Sequence, residues 1–152
     1  MDIKPVSETK SPNEAQYELV EKYMVPLSQM ITFKPDQPIQ DVISTIVDKK
    51  ISGAPVLDDQ RHLVGMISEK DCLRIIVDQA YNNMPAETRK VSDYMTVKVL
   101  SLSPKTTVVE AAIEFLNSPI RRFAIVENGT LIGQVSRRDI LKAAQNIKST
   151  AK

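Results

Sequence analysis

The sequence predicts an α/β fold of the α+β kind, built from two copies of one β-α-β-β-α unit. Three observations support this prediction: an internal repeat, a helical spacing of apolar residues within it, and hairpin signals after each helix. The repeat aligns residues 35–71 with residues 104–139. Its second half contains five identical pairs, which are Leu63 with Leu131, Gly65 with Gly133, Ser68 with Ser136, Asp71 with Asp139, and Leu73 with Leu141.

The first copy predicts a helix, a hairpin and a second helix. Apolar residues from Ile39 to Val47 recur at the i, i+3, i+4, i+7, i+8 spacing of an amphipathic helix. Short apolar stretches at 54–57 and 63–67 predict two strands, and the polar residues between them predict a turn. A helix is expected to follow over residues 69–80.

The second copy repeats this order with clearer local signals. Thr107 and Glu110 have the spacing of a capping box at the start of a helix. Asn128-Gly129 lies between apolar stretches at 123–127 and 130–135, and it is a strong hairpin signal because both residues tolerate positive φ. A helix is expected near residues 137–147.

Glycine within a strand usually marks a close approach of another group to the backbone, and Gly65 and Gly133 occupy equivalent strand positions. Outside the repeats, Ser11-Pro12-Asn13-Glu14 predicts the start of a helix that runs to about Tyr23. The predicted organisation is a tail and helix at 1–23, a first domain at 24–80, a connector at 81–90, a second domain at 91–148 and a tail at 149–152.

The composition is that of an ordinary globular protein and argues against several functions. Its 152 residues include 20 basic and 19 acidic side chains, and this near balance argues against nucleic acid as a partner. No apolar stretch approaches the roughly 18 residues of a membrane span, and residues 1–11 lack the apolar segment of a signal peptide. Single copies of Cys72 and His62 exclude an internal disulfide and argue against a metal site. We therefore expect a cytoplasmic protein with no membrane partner.

Short motifs in both copies match a known family. Met24-Val25 and Met95-Thr96 open the copies, residues 51–56 precede the first hairpin, and the segments at 65–71 and 133–139 follow the pattern Gly-x-x-Ser-x-x-Asp. The chain thereby resembles the cystathionine β-synthase (CBS) domain, and the two copies resemble a CBS pair, or Bateman module, over residues 20–145. The resemblance implies pseudo-twofold symmetry, dimerisation, two clefts between the copies, and regulation of a partner protein. It implies no required cofactor, and AMP, ADP, ATP or S-adenosylmethionine as a regulatory ligand.

In the family, each cleft combines the segment before one hairpin with the Ser-x-x-Asp motif of the other copy. The first cleft would contain Thr32, Ser52, Gly53, Ala54, Pro55, Ser136, Arg137, Arg138 and Asp139. The second would contain Arg121, Arg122, Phe123, Ala124, Ser68, Lys70 and Asp71. It departs from the family pattern, since Phe123 replaces a small residue and Ala124 replaces proline. We expect the first cleft to be the nucleotide site, while Phe123 either stacks on a base or fills the second cleft.

Two interpretations of the Ser-x-x-Asp motifs remain open. In the functional interpretation, Asp accepts hydrogen bonds from a ribose diol, and Ser with the free N–H groups of the helix start holds a phosphate. In the structural interpretation, both motifs are capping boxes, and the protein is a dimerising scaffold with empty clefts. An enzyme has little support, since the sequence shows no nucleophile–base pair, no metal-ligand cluster and no phosphate loop.

Overall fold

The computed structural model describes residues 2–5, 18–85 and 88–150, and the side chains of residues 18–85 and 88–146. The chain forms two compact units. Unit 1 comprises Ile31–Val99 with the first three residues, and unit 2 comprises Lys4–Met30 with Leu100–Lys152. The strands are β1 (Asp2–Pro5), β2 (Val25–Pro26), β3 (Gly53–Leu57), β4 (Leu63–Ser68), β5 (Lys98–Leu102), β6 (Arg122–Glu127) and β7 (Thr130–Ser136). The α-helices are α1 (Ile39–Lys49), α2 (Glu69–Asn82), α3 (Val108–Leu116) and α4 (Arg137–Thr150).

Unit 1 is built around the antiparallel hairpin of β3 and β4. Phe33 lies beside β3 in a parallel bridge to Val56, in which its N–H donates to the Pro55 carbonyl oxygen at 3.0 Å. Helices α1 and α2 bury one apolar face against the hairpin, as the spacing of their residues predicts. The buried core consists of Phe33, Ile39, Val42, Ile46, Ala54, Val56, Ile67, Ile75, Val91 and Tyr94.

Unit 2 repeats this arrangement with longer strand pairing. Strand β5 pairs in parallel with β6, β6 pairs antiparallel with β7, and the short strand β2 pairs antiparallel with β7. Helix α3 begins at the predicted capping box, in which Thr107 and Glu110 exchange hydrogen bonds of 2.9 and 3.1 Å. The buried core consists of Val20, Leu102, Val108, Ala111, Phe115, Phe123, Ile125, Val135 and Ala143.

The two opening motifs are exchanged between the units. Met95-Thr96 precedes the second copy in sequence but packs in unit 1, where Thr96 exchanges two backbone hydrogen bonds with Met66. Met24-Val25 precedes the first copy but packs in unit 2, where Val25 pairs with Gln134. In each unit the opening motif packs against a strand glycine, Gly65 in unit 1 and Gly133 in unit 2. The close approach to these glycines that the sequence predicts is therefore confirmed.

The predicted helices and hairpins are confirmed. Asn128 and Gly129 adopt φ values of 53° and 80°, as a tight hairpin turn of this type requires. The predicted N-terminal helix begins outside the described residues, and its expected end is wrong. Leu19 forms a bridge to Thr107, and Val20–Lys22 is a single 3-10 turn, because backbone pairing and burial of Val20 in unit 2 hold this segment extended.

Candidate functional site

The candidate site in each unit is the junction between the second hairpin strand and the helix that follows it. In unit 1, the Asp71 backbone N–H donates to the Ser68 hydroxyl oxygen at 3.2 Å. One carboxylate oxygen of Asp71, Oδ2, accepts from the Ser68 backbone N–H and from its hydroxyl, both at 3.0 Å. The side chain of Asp71 is buried, with 6% exposed. The capping interpretation of this motif is confirmed.

The junction of unit 2 has the same geometry. Asp139 Oδ2 accepts from the Ser136 backbone N–H at 2.8 Å and from its hydroxyl at 3.0 Å. The other carboxylate oxygen, Oδ1, takes no part in the box and lies 3.9 Å from the Lys142 amine. Asp139 is 7% exposed. Since one oxygen is enough for the cap, each box leaves a second carboxylate oxygen that can accept a hydrogen bond from a ligand hydroxyl.

In unit 1 the segment before the hairpin lies directly beside this capping box. The Glu69 backbone N–H donates to the Ser52 carbonyl oxygen at 2.9 Å, and Gly53 stands opposite Ser68 in the strand register. A Cβ atom on Gly53 would lie 2.7 Å from the Ile67 carbonyl oxygen, so glycine is needed here for the close strand approach. Ser52 is therefore exposed next to the first turn of α2.

The other predicted residues of this segment differ in exposure. Thr32 is half-buried, whereas the side chains of Ala54 and Pro55 are buried and Ala54 belongs to the core of unit 1. Since Ala54 belongs to the core, Ser52 is the small residue of this segment that is exposed at the surface. Lys70, predicted for the second cleft, is exposed in the first turn of α2.

A groove of about 370 Å³ opens at the exposed side of this segment in unit 1. Among its lining residues, only Ser52 is a site residue predicted from the sequence. Helix α1 ends at this groove, where Lys50 adopts the left-handed conformation with φ of 56°. The lining residues are Ile46, Val47, Lys50, Ile51, Ser52 and Glu69.

In unit 2 the equivalent segment has the opposite character. Arg121 and Arg122 are exposed, and Arg122 stands opposite Ser136 in the strand register. Phe123 is 1% exposed, and its ring centroid lies 4.8 Å from that of Phe115. The stacking interpretation of Phe123 is therefore wrong, because its ring is buried in the core of unit 2 and is not exposed to a base. Ala124 is also buried.

Two further side chains considered for other chemistry, Cys72 and His62, lie outside the capping boxes. Burial, followed by the charges of Asp71 and Glu69, raises the pKa of the Cys72 thiol to about 11, so the thiol stays protonated and unreactive near neutral pH. His62 is half-buried, and its Nδ1 lies 3.2 Å from the Asp58 carboxylate. Among the described residues, no three His, Cys, Asp or Glu side chains group as metal ligands. Within the same residues, no helix has both the length and the apolar character needed to cross a membrane.

Comparison with known proteins covers both copies of the repeat. Residues 20–78 and 91–146 match the CBS domain family. Protein MJ1225 of Methanocaldococcus jannaschii is 28% identical over 130 residues, which covers 86% of this chain and 42% of that protein. The chloroplastic CBS domain-containing protein CBSX2 of Arabidopsis thaliana is 29% identical over 150 aligned residues, which covers 83% of this chain and 63% of CBSX2. The chain thus spans less than two thirds of either relative.

A solved structure extends the comparison to the fold. The crystal structure of CBSX2 in complex with AMP is similar to this chain with a TM-score of 0.74 at 31% sequence identity. The similarity covers 86% of this chain and 98% of the CBSX2 chain in that crystal. The predicted fold, an α/β pair of tandem repeats, is confirmed by this agreement.

Proposed function

We propose that this chain, which belongs to the CBS domain family, is a regulatory protein that binds an adenosine nucleotide and thereby changes its affinity for a partner protein. The ligand is AMP, ADP, ATP or a related compound such as S-adenosylmethionine. No catalytic step is proposed. The nucleotide is expected in the first predicted cleft, and the residues expected to contact it are Thr32 and residues 52–55 of the first copy with Ser136, Arg137, Arg138 and Asp139 of the second.

The observation that carries this proposal is the state of the Asp139 carboxylate. Its Oδ2 atom is held by two hydrogen bonds from Ser136, so the carboxylate cannot rotate freely. Its Oδ1 atom remains available to accept from a ribose hydroxyl, and the capping and binding interpretations of the motif are therefore compatible. A carboxylate held in place before binding loses little conformational entropy when the ligand arrives. The AMP complex of the similar protein CBSX2 supports the choice of ligand class.

The direct test is calorimetric titration with AMP, ADP, ATP and S-adenosylmethionine. Asp139→Asn is expected to weaken binding about tenfold or more, since a charge-assisted hydrogen bond to the ribose is lost. Asp71→Asn is expected to weaken it less, since Asp71 belongs to the second cleft. Equal losses would show that the ligand does not favour the first cleft, and no binding of any compound at millimolar concentration would refute the proposal.

The chain contains a matched control for this experiment. Glu110 forms a capping box with Thr107 at the start of α3, outside both predicted clefts. Glu110→Gln changes the same kind of box and removes one charge, so it reports any general effect of a weakened cap. Nucleotide affinity is expected to stay within about twofold of wild type in this variant.

A second candidate function, a dimerising scaffold, is favoured by the surface of α2. Four large apolar side chains on this helix are more than half exposed: Leu73, Ile76, Val77 and Tyr81. Apolar patches of this kind mark interaction surfaces. The nucleotide proposal also includes a homodimer, so the two functions differ in ligand response. If the protein is a scaffold, light scattering is expected to show a dimer, and no nucleotide is expected to change its melting temperature.

A further inference from the structure

A tyrosine precedes the opening motif in each unit and contacts the last helix of that unit through a short chain of hydrogen bonds. In unit 1 this chain runs from the incoming segment to helix α2. The Arg89 side chain donates to the Tyr94 hydroxyl oxygen, and that hydroxyl donates to the Asp78 carboxylate at 2.7 Å. Arg89 Nη1 also lies 3.4 Å from this carboxylate, so an ion pair completes the group.

In unit 2 the chain of hydrogen bonds runs in the opposite direction. The Asn146 amide of α4 donates to the Tyr23 hydroxyl oxygen at 2.6 Å, and that hydroxyl donates to the Glu18 carboxylate at 2.8 Å. The two groups are equivalent in sequence, since Glu18 precedes its tyrosine by the same interval as Arg89 precedes Tyr94. The helix therefore supplies the acceptor in unit 1 and the donor in unit 2.

The two segments are not interchangeable, because a tyrosine hydroxyl has only one proton to donate. If the segment with Glu18 and Tyr23 docked on α2, the hydroxyl would face the carboxylates of Glu18 and Asp78, which both only accept. One carboxylate would lose its donor, and two negative charges would lie close together. Lys22 contacts Glu18, but its side chain is 60% exposed and lies on the solvent side of this group.

Docking of the other segment on α4 would leave a cation without its partner. The Arg89 side chain is only 11% exposed, and its guanidinium carbon lies 5.3 Å from the centroid of the Tyr94 ring. Its Nη2 atom is buried and has no hydrogen bond to any residue that the structure describes. On α4 an amide, Asn146, stands at the position of Asp78, so the guanidinium would lose the charge that balances it. Removal of one partner from a buried ion pair is strongly destabilising.

We propose that these two groups determine which unit each opening segment joins. Arg89 with Asp78 favours residues 89–96 in unit 1 and disfavours residues 18–25 there, and Glu18 with Asn146 has the reverse effect in unit 2. A simpler arrangement, in which each opening motif packs on the copy that follows it in sequence, is thereby made unfavourable. The exchange of the motifs then depends on side-chain charge as well as on strand pairing, and it does not depend on a bound nucleotide.

Disulfide trapping in the Cys72→Ser background tests this proposal. Thr96 exchanges backbone hydrogen bonds with Met66, and residues opposed in this way have Cα atoms about 5.5 Å apart, within the span of a disulfide. Thr96→Cys with Met66→Cys, the observed pair, therefore reports the arrangement seen in unit 1. Val25→Cys with Met66→Cys, the alternative pair, reports docking of the first opening segment on unit 1. Mass spectrometry counts only disulfides within one chain.

With the native charges, the observed pair is expected to form a disulfide and the alternative pair is expected to stay near background. Asp78→Asn/Arg89→Glu gives unit 1 the same charged and amide groups as unit 2, and it is expected to raise the alternative disulfide about tenfold or more. Asp48→Asn/Arg74→Glu makes the same change of charge at exposed positions of α1 and α2. This control is expected to leave both disulfides unchanged.

A fourfold variant, Asp78→Asn/Arg89→Glu/Glu18→Arg/Asn146→Asp, restores a different group in each unit with the two groups exchanged. It is expected to return the alternative disulfide to the wild-type level, which a merely structural role of each residue would not do. Circular dichroism verifies folding, and the fourfold variant is expected to fold even if the double variant does not. Three results would overturn the proposal: no increase of the alternative disulfide in a folded double variant, an equal increase in the control, or a fourfold variant that is unfolded or keeps the increase.

Discussion

The strand-to-helix junctions of the two units share one hydrogen-bond pattern and differ in the side chains around it. Ser68 and Asp71 in unit 1, and Ser136 and Asp139 in unit 2, form capping boxes with distances that agree within about 0.2 Å. The segment beside the box is small and uncharged in unit 1, and it is basic in unit 2. The backbone geometry is thus local and repeats, whereas the chemistry depends on strand neighbours and has diverged.

The same divergence extends into the two cores. Unit 1 has Ile46 on its first helix and Ala54 on its first hairpin strand, and unit 2 has Phe115 and Phe123 at the equivalent positions. The two rings are tilted by 58° with their centroids 4.8 Å apart, a favourable aromatic arrangement. An aliphatic contact in one unit is therefore an aromatic pair in the other.

The largest expected effect comes from breaking this aromatic pair. Phe123→Ala is expected to lower the free energy of unfolding by about 3–5 kcal/mol, because it leaves a cavity in a buried core. Ile46→Val, at the position of unit 1 equivalent to Phe115, is expected to cost only about 0.5–1.5 kcal/mol. Urea denaturation followed by circular dichroism measures both. A loss below about 1 kcal/mol for Phe123→Ala would contradict the buried position of the ring.

A second comparison concerns the glycines beneath the exchanged opening motifs. A Cβ atom on Gly133 would lie 2.6 Å from the Val25 carbonyl oxygen and 2.7 Å from the Met24 sulfur. On Gly65, the nearest atom would be the Met95 sulfur at 2.7 Å, with the Thr96 carbonyl oxygen at 3.0 Å. The backbone contact is closer in unit 2, at 2.6 Å against 3.0 Å in unit 1, and backbone cannot move aside as the end of a methionine side chain can.

Gly133→Ala is therefore expected to destabilise the protein more than Gly65→Ala, with both losses within about 1–3 kcal/mol. Shortening the methionine separates the two cases. In the Gly65→Ala background, Met95→Ala is expected to cost less than it does in wild type, because it also removes the clash. In the Gly133→Ala background, Met24→Ala is expected to cost nearly its full wild-type amount, since the carbonyl contact remains. Denaturation midpoints of the wild type, single and double variants measure these costs. A full cost for Met95→Ala beside Gly65→Ala, together with a reduced cost for Met24→Ala beside Gly133→Ala, would contradict the prediction.

The third comparison concerns a tyrosine that precedes each opening motif. In unit 1 the Tyr94 hydroxyl donates to the Asp78 carboxylate at 2.7 Å, and Arg89 contacts both groups. In unit 2 the Asn146 amide donates to the Tyr23 hydroxyl at 2.6 Å, and that hydroxyl donates to Glu18 at 2.8 Å. One contact between tyrosine and helix thus involves an acid on α2, and the other involves an amide on α4.

This difference predicts a small dependence on pH. The Tyr94 hydroxyl, then the Asn82 amide and Arg89, hold the pKa of the Asp78 carboxyl below its ordinary value. Asp78 therefore contributes stability above the pKa of an unfolded aspartate, about 3.9, and this contribution is lost as the pH falls through the lower folded pKa. In the Asp78→Asn variant, the free energy of unfolding is expected to fall less steeply than in wild type as the pH is lowered through this range. Asp48→Asn, at an exposed carboxylate of α1, is the control, and identical pH profiles for wild type and Asp78→Asn would refute the assignment.

Much of the fold and part of the site were predictable because their causes are local. The spacing of apolar residues from Ile39 to Val47 describes a helix face, and Asn128-Gly129 describes a turn that requires positive φ. The Ser-x-x-Asp boxes also depend only on residues within one turn. The role of Phe123 was left open because the same ring is suited to a base or to a core, and its distance from Phe115 depends on tertiary packing.

By itself, the sequence determined the two copies, their helices and hairpins, the two capping boxes and the membership of the chain in its family. Only the tertiary structure decided which unit holds each opening motif, since Met24 and Gly133 are far apart in sequence and meet through strand pairing. The tertiary structure also decided that Arg122 lies beside Ser136. The physical reason is the same in both cases: hydrogen bonds within a helical turn follow from neighbouring residues, whereas strand register and burial depend on residues that are distant along the chain.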